Sequence, residues 1–242
     1  MLDTQYFEYG EKEIEYLKSK DPVLAKVIDE IGHIKRAVTP DLFTALIHSV
    51  VGQQISTKAQ TTIWNRMQTQ FTAITAENIA AVPAGELQAC GLTMRKTVYM
   101  KEIAGSVLEG SLNLDQLRTM TDEEVCRRLR QIKGIGVWTA EMLMTFSMQR
   151  RDILSWDDLA IQRGLRMLYH HRKITPDLFA KYKRRYSPYA TVASLYLWAI
   201  AGGACAGFID YAPKTSAQKK AAVKKKCRQA KIEKALGESI KD

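Results

Sequence analysis

With 242 residues, 46% of them hydrophobic, the chain can bury one large core or two small ones. No apolar run reaches the ~18 residues of a membrane span and no signal-like segment opens the chain. A soluble intracellular protein with no membrane partner is therefore expected, cytoplasmic in a bacterium or nuclear in a eukaryote.

The formal charge of +10 favours a polyanionic partner. Residues 211–242, however, hold ten Lys/Arg against three Asp/Glu, so the body is nearly neutral and a merely solvated basic tail stays open as a reading. Helical periodicity dominates and no Val/Ile/Thr-rich alternating stretch stands out, so the expected fold is all-α. Glu11 to Lys18 reads as a short helix after Gly10. Asp21-Pro22 opens a second, whose buried stripe is Val23, Leu24, Val27, Ile28 and Ile31. Thr39-Pro40 opens a third, which buries Leu42, Phe43, Leu46, Ile47 and Val50 and ends at Gly52. Ser56 caps the next, through Ile63, Trp64 and Met67 to Phe71. Thr75 and Pro83 begin two short helices, and Met94 to Leu108 forms a longer one carrying Arg95, Lys96 and Lys101.

Thr121 and Glu124 make a capping box for the helix that leads into the stretch Leu129–Arg163. There Gly134-Ile135-Gly136 breaks the helix and a second begins, with Trp138, Met142 and Phe146 at helical spacing. Glycines at this turn allow positive φ and close backbone approach, and the helix start after Gly136 offers unpaired N–H groups to an anion such as a phosphate. Trp156-Asp157-Asp158 then precedes a further helix through Leu159, Ile161, Leu165 and Leu168. Taken alone, either aspartate could simply be an N-cap and Trp138 simply core. Likewise Gln53 and Gln54, beside Gly52, could reach a nucleic-acid groove or be ordinary loop residues. Thr175-Pro176 and Pro188 open two more helices, the latter presenting Val192, Leu195 and Trp198 and ending at Gly202-Gly203. Cys90, Cys126, Cys205 and Cys227 lie far apart without a C-x-x-C pair, which fits reduced buried thiols better than a metal centre.

The run L-x-x-I-x-G-I-G-x-W-T-A-E followed by W-D-D-x-x-I-x-R resembles the helix-hairpin-helix DNA glycosylase superfamily. Its interval from Trp138 to Asp158 is closest to the AlkA-type 3-methyladenine DNA glycosylase II family. The V-G-Q-Q-I-S run at Val51–Ser56, G-L-T-x-R-K at Gly91–Lys96 and the aromatic helix ending at Trp198 also fit, so the resemblance covers roughly residues 40–205. It implies two helical subdomains with the active-site cleft between them. Residues 1–210 would form the glycosylase domain, with 36–115 as one helical part, 1–35 with 170–210 as another, and 116–169 as the hairpin region. A basic tail, helical from Ser216 to Leu236, would occupy 211–242.

The same resemblance implies roles. Asp158 matches the catalytic aspartate, and Asp157 would help cap or orient. Trp138, Trp198 and Met142 match the base pocket. Gly134 and Gly136 match the phosphate-holding glycines, with Gln53, Gln54 and Ser56 beside them on the DNA; Gln53 or Gln54 falls at the wedge that fills the gap left by a flipped nucleotide. The carbonyls of Arg130, Ile132 and Gly134 match positions that share a Na+ or K+ with the DNA backbone, and no other cofactor is implied. The partner would be double-stranded DNA containing alkylated bases, met by a monomer.

Relatives that also cleave the strand carry a lysine two residues after the second glycine, where this chain has Trp138. A monofunctional enzyme is therefore expected, releasing 3-methyladenine and also 7-methylguanine and leaving an abasic site. Longer family members carry an N-terminal β-rich domain, whereas here about 40 residues precede the first matched helix, so a short form is implied. A non-catalytic helix-hairpin-helix DNA binder and a lyase using another lysine are the alternatives. Asp158 argues against the first, and borohydride trapping on abasic-site DNA would reveal the second.

Overall fold

Polar caps and apolar stripes at helical spacing build thirteen helices in a computed structural model that describes residues 4–213. The N-terminal pair is α1 (Glu11–Lys20) and α2 (Pro22–Ile31). Then come α3 (Leu42–Gly52), α4 (Thr57–Gln70), α5 (Ala76–Ala81), α6 (Ala84–Ala89), α7 (Met94–Leu108) and α8 (Leu114–Leu117). The central hairpin is α9 (Asp122–Leu129) and α10 (Val137–Phe146), and α11 (Leu159–Tyr169), α12 (Pro176–Tyr186) and α13 (Ala190–Gly202) follow. Among the described residues the fold is all-α: an isolated antiparallel bridge between Tyr6 and Ala37 is its extended pairing, and no helix is long and apolar enough to cross a membrane.

The caps carry the local specification. Asp21 accepts from the Val23 and Leu24 amides, both at 3.0 Å, and Ser56 Oγ from Ala59 N at 3.3 Å. The box at Thr121 is reciprocal, with Glu124 accepting the Thr121 amide at 2.8 Å and Thr121 Oγ1 the Glu124 amide at 3.3 Å. Each such cap contributes about 1 kcal/mol. Helix α3 differs from expectation: Asp41 rather than Thr39 is its cap, accepting from Thr44 N at 2.7 Å, while the Thr39 amide donates to Phe146 O.

Two hydrophobic cores form. The first, from Leu42 to Ile153, buries Leu46, Ile47, Met100, Leu129 and Leu143. The second joins Leu24 and Val27 of α2 to Ile161, Leu165, Tyr186 and Leu197 of α11 to α13. The chain crosses from one to the other between Ile153 and Leu154, a few residues ahead of Asp158. The expected grouping of 116–169 as one hairpin region does not coincide with these cores. Its α9 and α10 pack into the first, because Val125, Leu129 and Leu143 face that core, whereas α11 buries Ile161 and Leu165 in the second.

Two apolar residues expected to face inward do not. Val23, in the first turn of α2, is 44% exposed. Leu159 is 80% exposed, because two residues of helix place it about 200° around the axis from the buried Ile161. Cys90 and Cys205 are buried free thiols and Cys126 is half-buried. The expected helix at Ser216–Leu236 lies outside the described residues, as does Cys227.

Candidate active site

The turn between α9 and α10 is tight. The amide of Ile132 donates to Leu129 O at 3.0 Å and that of Ile135 to Ile132 O at 3.1 Å, and Ile135 anchors the turn in the first core. The two glycines of the turn do different work. Gly134 has φ +88°, and a Cβ there would lie 2.3 Å from the Tyr99 ring. Gly136 has an extended backbone, and a Cβ there would meet open space. Gly136 is the N-cap of α10 and supplies no side-chain acceptor for the first amides of the helix. Such a helix start accommodates a phosphate.

From the first turn of α10, Trp138 reaches across to the second core. Its indole Nε1 donates to Asp158 Oδ2 at 3.0 Å. The other oxygen, Oδ1, accepts from Ala160 N and Ile161 N, each at 2.9 Å, so Asp158 is also the cap of α11. A helix cap and an indole partner are thus combined in one carboxylate, and Asp157 is exposed beside it. Asp158 is 7% exposed and Trp138 is 38% exposed. A carboxylate offers about four lone-pair positions; three N–H groups fix its plane and leave room for one further contact.

The segment carrying Asp158 is tied to α10 a second time. The Ser155 hydroxyl donates to Glu141 Oε2. Burial pushes the Glu141 carboxyl above its usual range; the Ser155 bond pulls against this, and the nearby Asp157 and Asp158 add to it.

The other expected site residues are distributed. Met142 is buried in α10. Trp198 packs against Phe146, with ring centroids 5.4 Å apart, and the Arg36 guanidinium lies 4.6 Å over the Phe146 ring. The hydrogen bond to Asp158 comes from Trp138. Ser56 caps α4. Gln53, Gln54, Lys96, Tyr99, Gly136 and Trp138 line a groove of 490 Å³ beside the hairpin. Gln53 Nε2 donates to Gly134 O at 2.8 Å, whereas Gln54 is exposed with φ +55°. A larger cavity of 940 Å³ lies on the flank between α7 and the turn, where Lys133 pairs with Glu102 at 3.5 Å and Lys101 caps Ala80 O at 2.8 Å.

Among the carbonyls expected to hold a monovalent cation, Ile132 O accepts the Ile135 amide and Gly134 O accepts Gln53. Each keeps a second lone pair, so the neutral oxygen set at Arg130, Ile132 and Gly134 fits a weakly demanding hard cation. Sequence reasoning did not single out Tyr99, Glu141 or Ser155. Tyr99 follows the G-L-T-x-R-K run by three residues, and Glu141 closes the W-T-A-E run, so the signal lay next to motifs already in view.

The family described as HhH-GPD superfamily base excision DNA repair protein matches residues 47–188. A Schizosaccharomyces pombe protein named DNA-3-methyladenine glycosylase 1 is 36% identical over 163 residues, which is 64% of this chain and 71% of that protein. Among solved structures, the S. pombe 3-methyladenine DNA glycosylase in complex with abasic DNA superposes with a TM-score of 0.74 at 29% identity, covering 82% of this chain and 100% of that one. A DNA-3-methyladenine glycosidase from Bacillus halodurans gives a TM-score of 0.74 at 32% identity, covering 84% and 95%.

Proposed function

Because the chain belongs to the HhH-GPD superfamily of base excision DNA repair proteins, we propose that it is a monofunctional DNA glycosylase for alkylated purines, 3-methyladenine first and 7-methylguanine second. One observation carries the reading: the residue two after Gly136 is an indole whose N–H holds Asp158, in the place where a strand-cleaving relative would carry an amine. No cofactor is required, and the partner is double-stranded DNA met by a monomer.

The chemistry follows from the residues. A base inside a duplex is unreachable, so it is flipped out at a cost of about a few kcal/mol, least at damaged pairs. The amides after Gly136 hold a backbone phosphate without reading sequence. Gln54, exposed at the tip of its loop, fills the gap left in the stack. The carbonyls of Arg130, Ile132 and Gly134 would hold a Na+ or K+ there, which supplies positive charge to the backbone. Alkylation at N3 or N7 makes the purine cationic, so it leaves readily, and the indole face of Trp138 attracts it by about 0.5–2 kcal/mol. As the glycosidic bond breaks, positive charge develops on the sugar. Asp158 stabilises that charge through its remaining open position and orients water toward C1′.

The deciding experiment is Asp158→Asn on methylated duplex DNA. Asparagine is as good an N-cap as aspartate, so the variant is expected to stay folded and to bind DNA. Base release is expected to fall by about 10²–10³-fold. Near-normal release by the folded variant would overturn the assignment, and borohydride trapping of the wild type on abasic DNA would overturn the monofunctional reading.

A further inference from the structure

Gln53 and Gln54 are neighbours in sequence and opposites in structure. Gln53 is half-buried, with its side-chain amide donating to Gly134 O, 81 positions along the chain. Gln54 is exposed and left-handed, a conformation that a non-glycine residue keeps only where the surroundings over-determine it.

The residues that lead into Gln54 are held at several points. Lys96 Nζ, reaching from α7, donates to Val51 O in the last turn of α3 at 2.7 Å. The Gln60 side-chain amide packs against Gly52, where a Cβ would displace it, and donates to His48 O at 3.1 Å. The Tyr99 ring packs against Gly134 where a side chain would otherwise stand. The approach to the α3–α4 loop is thus tied to α7, and the Gln53 amide bonds the loop directly to the hairpin.

We propose that Gln53 is a positioning residue that sets the distance between the phosphate-holding turn and Gln54. Gripping a backbone phosphate and driving Gln54 into the stack are then one rigid movement. The physical demand is strict: successive bases in a strand are ~3.4 Å apart, so a loop free to drift by an ångström or two presents Gln54 to the wrong step. A side-chain amide suits the task because it donates to a carbonyl without adding charge beside the DNA backbone. The inference rests on the proposed action on duplex DNA, but not on base release.

The test uses the full chain and a duplex containing an uncleavable tetrahydrofuran abasic analogue, with 2-aminopurine opposite it to report insertion into the stack. Gln53→Met keeps the volume and removes the donor. Gln53→Asn keeps an amide on an arm too short to reach Gly134, and it decides the matter if the Met variant does not fold. Both are expected to lose the insertion signal and to slow base release about tenfold. Affinity for unmodified duplex should stay within about twofold, since the phosphate grip is intact. Gln54→Ala is expected to lose the same signal, and the Gln53→Met/Gln54→Ala double variant to lose no more than Gln54→Ala, because both act on one step. Wild-type insertion by a folded Gln53 variant, or losses that multiply in the double variant, would overturn the proposal. Normal insertion by the wild type without release of methylated base would instead sink the enzymatic reading and leave this one standing.

Discussion

Trp138 on α10 donates its indole N–H to Asp158 Oδ2 at 3.0 Å, and so joins a helix of the first core to the cap of a helix in the second. The bond aims the carboxylate across the junction where the chain changes cores. Trp138→Phe keeps an aromatic face and removes the donor. A hydrogen bond to a charged group contributes about 1.5–3 kcal/mol, so kcat on methylated DNA is expected to fall at least about tenfold, with KM little changed. Single-turnover kinetics check this, and a change confined to KM would show that the indole acts only on binding.

The hairpin glycines should separate cleanly. Gly134→Ala forces a side chain into a left-handed backbone, costing about 1–2 kcal/mol before the encounter with the Tyr99 ring is counted. A drop in Tm of at least about 3 °C is expected. Gly136→Ala has an extended backbone and meets open space, and loses only the advantage of glycine over alanine at an N-cap, so its Tm should fall less than that of Gly134→Ala. On the proposed phosphate grip its methyl group would stand in the way of the backbone, and DNA affinity should fall about tenfold. Thermal unfolding and DNA titration of the two variants together make the comparison.

Glu141 gives a pH signature. Burial raises its folded carboxyl above the unfolded value, so its contribution to stability is complete below the ordinary glutamate range, near pH ~4, and is lost as the pH rises through the folded value. The neutral amide introduced by Glu141→Gln mimics the protonated acid and can still meet Ser155. The variant's Tm should match the wild type in acid and exceed it near neutrality. A difference in Tm that does not change with pH would refute the burial argument.

Helices α11 and α13 touch backbone to backbone at Gly164, where a Cβ would lie 2.4 Å from Leu197 O. Gly164→Ala must part the helices, an overpacking cost of about 1–3 kcal/mol. Tm is expected to fall by about 2–10 °C. Because Asp158 caps α11, base release should fall with it, whereas affinity for the DNA backbone, which the proposal assigns to the hairpin, should not. Circular dichroism melts and gel-shift titration separate the two effects.

The all-α fold, most helix starts and the chemistry on offer are legible along the chain. Those properties are local: a cap such as Thr121 with Glu124, a stripe such as Leu24, Val27 and Ile28, and the interval from Gly134 to Asp158 can all be read within a few turns of chain. The resemblance to the glycosylase superfamily rests on motifs that are equally local. Only the tertiary structure decided how the pieces are shared out. It split the expected hairpin region between two cores, gave Asp158 both a cap and an indole partner, and placed Trp198 on Phe146. It also told two adjacent glutamines apart and two neighbouring glycines apart, because what distinguishes them lies far along the chain: Gly134 O for Gln53 and the Tyr99 ring for Gly134 itself. Contacts of that kind depend on packing in three dimensions, and nothing in the spacing of residues 50–56 or 134–136 encodes them.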